Sequence, residues 1–243
     1  VRQTTCTTPT VAWQCAWVAA QQQSIAAALA ERGARVLATD RSPRERLRGE
    51  LARLEAHGVR IEAGVHRPES FLEADLIVVS PGVPTELDLL GLARWRGVPI
   101  WGGVELASRL TRARFLGITG TNGKSTTTSL LGAMLEAAGF PTVVAGNIGT
   151  ALCEVVTRLT AAHWVVAELS SFQLETIVAF RPHVAVLLNL APDHLDRYPD
   201  LAGYYAAKAR IFLNQTAEDY AVLNADDPPT LEWAREIRAQ PRL

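Results

Sequence analysis

The sequence predicts an α/β protein with two largely parallel sheets: a Rossmann-like N-terminal domain followed by a P-loop-type nucleotide-binding domain. Three observations carry this. From residue 24 onward, short apolar runs alternate with amphipathic segments, the pattern of parallel strands covered by helices. Polar and ionisable residues gather just after the apolar runs, where open α/β sheets place their sites. Residues 116–126, Leu-Gly-Ile-Thr-Gly-Thr-Asn-Gly-Lys-Ser-Thr, join an apolar run to a helical pattern through glycines, a lysine and hydroxyls.

The elements follow in order. Ile25 to Arg32 reads as a helix closed by Gly33, and Arg35 to Thr39 as a strand ending at Asp40. Residues 43–57 form a charged helix, and Val59 to Ala63 a short strand. Ala74 to Val79 is a buried strand stopped by Ser80-Pro81-Gly82, and Glu86 to Arg96 a helix. Val98 to Trp101 is a strand and Val104 to Leu110 a helix, with the domain boundary placed at 111/112. Phe115 to Ile118 leads into the glycine loop. Leu130, Leu131, Met134, Leu135 and Ala138 then recur at helical spacing up to Gly139, a C-cap glycine. Further strands are expected at Thr142–Val144, Trp164–Glu168, Val184–Asn189 and Tyr220–Asn224.

The beginning breaks the pattern. A Rossmann-like domain opens with strand, glycine-rich turn and helix, with an acidic residue about 20 positions later. Asp40 supplies the acid, but residues 1–32 contain no glycine. Residues 1–23 therefore read as an out-of-frame or otherwise altered stretch.

Composition narrows the function classes. The 243 residues are 48% hydrophobic and 20% charged, with formal net charge −1, which gives no reason to expect nucleic acid or a membrane surface as partner. No apolar stretch approaches the roughly 20 residues of a membrane helix, so no membrane insertion is expected. No secretory pattern is visible, and Cys6, Cys15 and Cys153 lack metal-type spacing; they read as reduced thiols of a cytoplasmic protein.

The chemistry concentrates at the loop. Gly120 and Gly123 let backbone N–H groups turn inward, the helix N-terminus adds positive potential, and Lys124 adds a full charge. Ser125 is placed to hold Mg²⁺ through its hydroxyl. Ile118 stands where the strict nucleotide-loop pattern has glycine, so the loop is a variant. Its reading is a nucleoside triphosphate site; an ordinary glycine turn is the alternative. Glu168 at a strand end suits a Mg²⁺ ligand, or else an acid favoured by a helix N-terminus. His194, flanked by Asp193 and Asp196 after a buried strand, is a metal or substrate candidate, whereas His57, His66, His163 and His183 read as structural. Lys208 stands among small alanines that would let it approach a crowded site. Asn147 between glycines, and Ser80-Pro81-Gly82, are turns where backbone can approach a ligand.

Taken in order, Thr119-Gly120-Thr121-Asn122-Gly123-Lys124-Ser125, Gly146-Asn147-Ile148-Gly149, Glu168-Leu169-Ser170-Ser171-Phe172-Gln173-Leu174, Asp193-His194-Leu195-Asp196-Arg197-Tyr198 and Ala207-Lys208 closely resemble the ATP-dependent Mur ligases of peptidoglycan synthesis. The Ser-Ser-Phe-Gln-Leu-Glu and Asp-His-Leu-Asp-Arg-Tyr versions look most like the D-glutamate-adding members. The resemblance runs from about Ser24 to the C-terminus. It implies that ATP phosphorylates the carboxylate of UDP-N-acetylmuramoyl-L-alanine and that the amine of D-glutamate displaces the phosphate, on a protein expected to be monomeric. It also implies roles. Gly120, Thr121, Asn122, Gly123, Lys124, Ser125 and Thr126 would cradle ATP; Ser125 and Glu168 would hold one Mg²⁺, and His194 a second. Lys208 matches a lysine that carbon dioxide converts into a carbamate able to ligate magnesium. Lys124, Glu168, His194 and Lys208 would thus form the catalytic set. Asp40, Ser80, Pro81, Gly82, Asn147 and His194 would contact the muramoyl substrate.

Two departures qualify the resemblance. The glycine-rich turn for the UDP pyrophosphate is missing from residues 1–23, and against the family pattern the central ATP-binding domain, 112–243, is expected to be incomplete and the amino-acid-binding C-terminal domain to lie outside this chain. The chain alone is therefore expected to show no D-glutamate-dependent turnover. A sister ligase, a folylpolyglutamate-type ligase and a non-catalytic nucleotide-binding remnant remain as alternatives.

Overall fold

The computed structural model describes residues 12–16, 20–84, 87–233 and 237–242. The chain divides into two compact units, Val1–Gly103 and Val104–Leu243.

In the first unit, β1 (Ala12–Ala16) is followed by α1 (Ala20–Ala30), β2 (Arg35–Asp40), α2 (Arg48–Ala56), β3 (Arg60–Ala63) and α3 (Pro68–Leu72). The unit ends with β4 (Leu76–Val79), α4 (Asp88–Trp95) and β5 (Ile100–Gly102). The five strands run parallel in the order β3-β2-β1-β4-β5. This order reverses direction beside β1, a doubly wound sheet with its switch point next to the first strand. β4 is buried throughout, and Ile77 and Val79 pack with Phe71, Leu90 and Ala93. The sequence reading placed no strand within residues 1–23, yet Trp13 aligns with both Val36 and Leu76 at the middle of the sheet. Of residues 1–23, where the sequence lacks the expected glycine turn, 1–11 and 17–19 lie outside the described residues.

The second unit contains most of α5 (Gly103–Leu110), then β6 (Arg114–Thr119), α6 (Lys124–Ala137), β7 (Thr142–Gly146), α7 (Leu152–Val155) and β8 (Trp164–Glu168). It continues with α8 (Ser171–Leu174), β9 (Val184–Leu187), α9 (Leu201–Ala209), β10 (Tyr220–Leu223), α10 (Pro228–Glu232) and β11 (Gln240–Arg242). Its six parallel strands take the order β11-β10-β9-β6-β8-β7. β6 therefore lies between β8 and β9, which sets the ends of three neighbouring strands side by side.

The packing of α6 differs from the simplest reading of its apolar residues. Leu130 and Met134 are exposed, while Thr128 and Gly132 are buried against the sheet, with Leu131 and Leu135 on the flank of the core. Gly132 is the reason: a Cβ there would stand 2.2 Å from Cγ2 of Val144. The bare backbone lets the helix sit close to β7, and that choice of contact face turns Leu130 and Met134 outward.

α5 joins the second unit through a buried carboxylate. Glu105 is fully buried, and its Oε2 accepts the N–H groups of Val178, Ala179 and Phe180 at 2.8, 2.9 and 2.9 Å. Its Oε1 accepts from Nε of Arg109 at 2.6 Å.

Candidate active site at the phosphate loop

The loop begins where β6 ends. Gly120 has φ 149° and a Cβ there would come within 3.0 Å of Cβ of Leu188 and 3.3 Å of the Asn189 nitrogen, so only glycine lets the chain turn against the end of β9. Gly123 takes φ 81° and caps α6. Side-chain-free, left-handed backbone at this point delivers the helix N-terminus directly to the turn. The first-turn N–H groups of Lys124, Ser125 and Thr126 have no acceptor within the helix, a ready anion site.

The neighbouring strand ends supply the charges. Glu168 ends β8, is 1% exposed, and accepts the Ser125 hydroxyl at 2.7 Å on Oε2. Its Oε1 accepts Nδ2 of Asn147 at 2.8 Å, while the Asn147 N–H donates to the Glu168 carbonyl at 2.9 Å. That double contact holds the carboxylate still. It depends on Gly146, which has φ 117° and would place a Cβ 2.3 Å from the Glu168 carbonyl oxygen. We expect Gly146→Ala to cost about 3 kcal/mol, combining left-handed strain with a backbone clash; urea unfolding monitored through the second unit checks this. Ser125 and Glu168 are hard oxygen donors facing each other beside a helix N-terminus, a donor set that fits Mg²⁺ and the phosphates it bridges.

Lys124 donates from Nζ to the Thr121 carbonyl at 2.8 Å. Lys208, on α9, donates to the Gly120 carbonyl at 2.8 Å and is 2% exposed. Burial, then the charge of Lys124, lowers its pKa to about 7, with Asp193 pulling the other way. Its Nζ lies 4.7 Å from the ring centroid of Tyr204. Tyr204 is buried, and its hydroxyl is 3.3 Å from the Thr121 hydroxyl. His194 stands against the same ring at 5.7 Å and against Phe172 at 5.1 Å. It is the positive-φ non-glycine among the described residues (φ 52°), with the Arg197 and Tyr198 N–H groups both donating to its carbonyl. A backbone held in this costly region marks a position where orientation matters.

The structure thus brings Gly120, Thr121, Asn122, Gly123, Lys124, Ser125, Glu168, Asn147 and Lys208 into one connected network. His194 joins it through Tyr204, and it contacts Asp193 at 3.5 Å. Thr126 follows in the first turn of α6 and is exposed. Among the described residues, no group of three or more His, Cys, Asp and Glu side chains is arranged to hold a metal. Any ion here would draw on Ser125 and Glu168 rather than on a preformed cage. In the first unit, Asp40 ends β2, is 5% exposed and accepts the Ser42 N–H at 2.7 Å. Ser80, Pro81 and Gly82 follow β4, where Gly82 takes φ 86° and Val83 N–H closes the turn on the Ser80 carbonyl at 3.2 Å. All four sit at C-terminal strand ends of that unit's sheet.

Sequence reasoning missed Asn189 and Tyr204. Asn189 pairs with the Asn122 peptide, Oδ1 accepting its N–H at 2.9 Å and Nδ2 donating to its carbonyl at 3.1 Å. The available signal was the position of Asn189 immediately after an apolar strand.

A strand, a glycine loop, a helix-borne lysine and hydroxyl, and an acid on the adjacent strand define the second unit as a phosphate-loop α/β domain. Residues 118–242 match the model of the Mur ligase middle domain. The chain belongs to the Mur ligase family.

It is 52% identical over 211 residues to a UDP-N-acetylmuramoylalanine–D-glutamate ligase of Pelobacter propionicus, covering 87% of this chain and 47% of that protein. It is 50% identical over 217 residues to the ligase of the same name from Geotalea uraniireducens, covering 89% of this chain and 48% of that protein. The chain thus spans about half the length of the curated relatives it matches. Among solved structures, it resembles the UDP-N-acetylmuramate:L-alanyl-gamma-D-glutamyl-meso-diaminopimelate ligase of Neisseria meningitides, with TM-score 0.64 and 21% identity over 96% of this chain and 78% of that one. It also resembles the UDP-N-acetylmuramate-alanine ligase of Thermotoga maritima, with TM-score 0.51 and 22% identity over 91% of this chain and 50% of that one. These two likenesses bear on the fold, α/β with parallel sheets. No helix among the described residues is long and apolar enough to cross a membrane.

Proposed function

We propose that this chain carries the muramoyl-nucleotide-binding and ATP-binding parts of an ADP-forming ligase that adds D-glutamate to UDP-N-acetylmuramoyl-L-alanine in the cytoplasm. The observation that carries the reading is the meeting of Lys124, Ser125, Glu168 and Lys208 around one glycine loop. The names of the relatives supply the substrates.

A carboxylate resists attack by an amine until one of its oxygens becomes a leaving group, which phosphorylation achieves. The protein's part is then positioning and charge neutralisation. In this reading the first-turn N–H groups of α6 and the Lys124 ammonium bind the β- and γ-phosphates of ATP. Ser125 and Glu168 hold Mg²⁺, which when bound neutralises phosphate charge. Asn147 keeps the Glu168 carboxylate aimed, and His194 stands on the acceptor side. Lys208 has the property a carbamate site needs: with a pKa of about 7, much of it is a free amine near neutral pH, able to add carbon dioxide. Asp40 and the Ser80-Pro81-Gly82 turn serve the uridine and pyrophosphate ends of the muramoyl substrate.

Calorimetric titration with ATP and Mg²⁺ tests the reading. The wild-type chain should bind. Lys124→Ala should weaken binding about a hundredfold, the loss of roughly 3 kcal/mol from a charge-assisted phosphate contact. Equal affinity of the two proteins would remove the basis of the assignment.

A further inference from the structure

We propose that Asn189 is a positioning residue of the ATP site, holding the peptide between Asn122 and its neighbours in the orientation that phosphate binding requires. The inference rests on the nucleotide-binding reading above and extends it to a residue outside the predicted set.

The argument starts from the sheet. β9 pairs with β6 in register, Ile118 with Val186 and Thr119 with Leu187. The ladder continues past both strands: Leu188 N–H donates to the Thr119 carbonyl at 3.0 Å, and Thr121 N–H to the Asn189 carbonyl at 3.0 Å. At Asn122 the partner is the Asn189 side chain rather than backbone. A carboxamide carries the same donor and acceptor as a peptide. Asn189 therefore pairs with Asn122 as another strand residue would, at 2.9 and 3.1 Å.

The loop's carbonyl groups show why this matters. Each of the four from Gly120 to Gly123 is engaged by a protein donor. Gly120 is held by Lys208 and Thr121 by Lys124, each at 2.8 Å. Asn122 is held by Asn189 at 3.1 Å and Gly123 by the Thr127 N–H at 3.0 Å. A carbonyl oxygen left unheld in a loop that faces phosphate would repel it. In the proposed function Lys124 binds phosphate and Lys208 adds carbon dioxide, so neither lysine would stay on its carbonyl. Asn189 is uncharged and anchored in the ladder, so it stays. It keeps the middle of the loop in place while the two lysines change partners.

The test uses three readouts on the 243-residue chain: Mg·ATP affinity by calorimetry, amide hydrogen exchange resolved over residues 120–124, and the thermal midpoint. Asn189→Ala should bind Mg·ATP about tenfold more weakly, the effect of roughly one positioned hydrogen-bonded pair, and exchange faster in the loop. Its thermal midpoint should stay near wild type, which a purely structural role would not allow. Asn189→Asp keeps the shape and the acceptor but loses the donor and adds a negative charge beside the phosphates, so it should bind at least as weakly. Should the alanine variant fail to fold, the isosteric aspartate decides. Wild-type affinity and unchanged loop exchange in the folded variants would overturn the inference alone. Failure of the wild-type chain to bind Mg·ATP would overturn the nucleotide-binding reading with it.

Discussion

Glu105→Ala is expected to cost the second unit about 5 kcal/mol, because it removes a buried carboxylate that satisfies three consecutive backbone N–H groups. The Val178, Ala179 and Phe180 amides converge on one oxygen within 2.9 Å. Alanine would leave these amides without their acceptor and remove the carboxylate oxygen that Nε of Arg109 reaches at 2.6 Å. Glu105→Gln should lose less, about 2 kcal/mol, since an amide oxygen can still accept while its NH₂ meets the Arg109 guanidinium unfavourably. Urea denaturation of the wild type and both variants measures the order. Equal stability of alanine and wild type would show that the amides find other acceptors.

Lys208→Met is expected to change how stability depends on pH. The folded-state pKa of Lys208 is about 7 against an ordinary value of 10.5, so between these limits the unfolded chain binds more protons than the folded one. Stability contributed by this site therefore rises with pH from about 7 to 10 and is lowest below 7, where burial of the ammonium beside Lys124 costs most. The slope approaches about 1.4 kcal/mol per pH unit at its steepest. Methionine cannot be charged. The variant should be the more stable protein at pH 6, by about 4 kcal/mol relative to their difference at pH 10. Unfolding free energies of both proteins across pH 6–10 give the comparison; parallel curves would mean that Lys208 stays charged in the fold.

Much of the second unit was legible because its signals are local. Gly120, Gly123, Lys124 and Ser125 sit within six residues, and the strands Trp164–Glu168 and Tyr220–Leu223 announce themselves as apolar runs. What escaped depends on distant partners. Asn189 acts on Asn122, 67 residues away, and Glu105 on amides 73 to 75 residues away, so neither has a pattern in its own neighbourhood. The face of α6 was hidden for a related reason. Leu130 and Met134 look like core residues until Gly132 and Val144 are known to touch. β1 escaped because Ala-Trp-Gln-Cys-Ala itself holds no Val, Ile or Thr, unlike most of the other strands. The boundary expected at 111/112 also meets a different physical division: contacts separate at Gly103, because α5 delivers Glu105 to the second unit.

That division decides how the second unit could be made by itself. A shortened polypeptide starting at residue 112 would discard the carboxylate and open the 178–180 segment to water and proteases. One starting at Gly103 would keep the helix that closes it. The nine residues from Gly103 to Thr111 are thus the difference between a degraded fragment and a usable one.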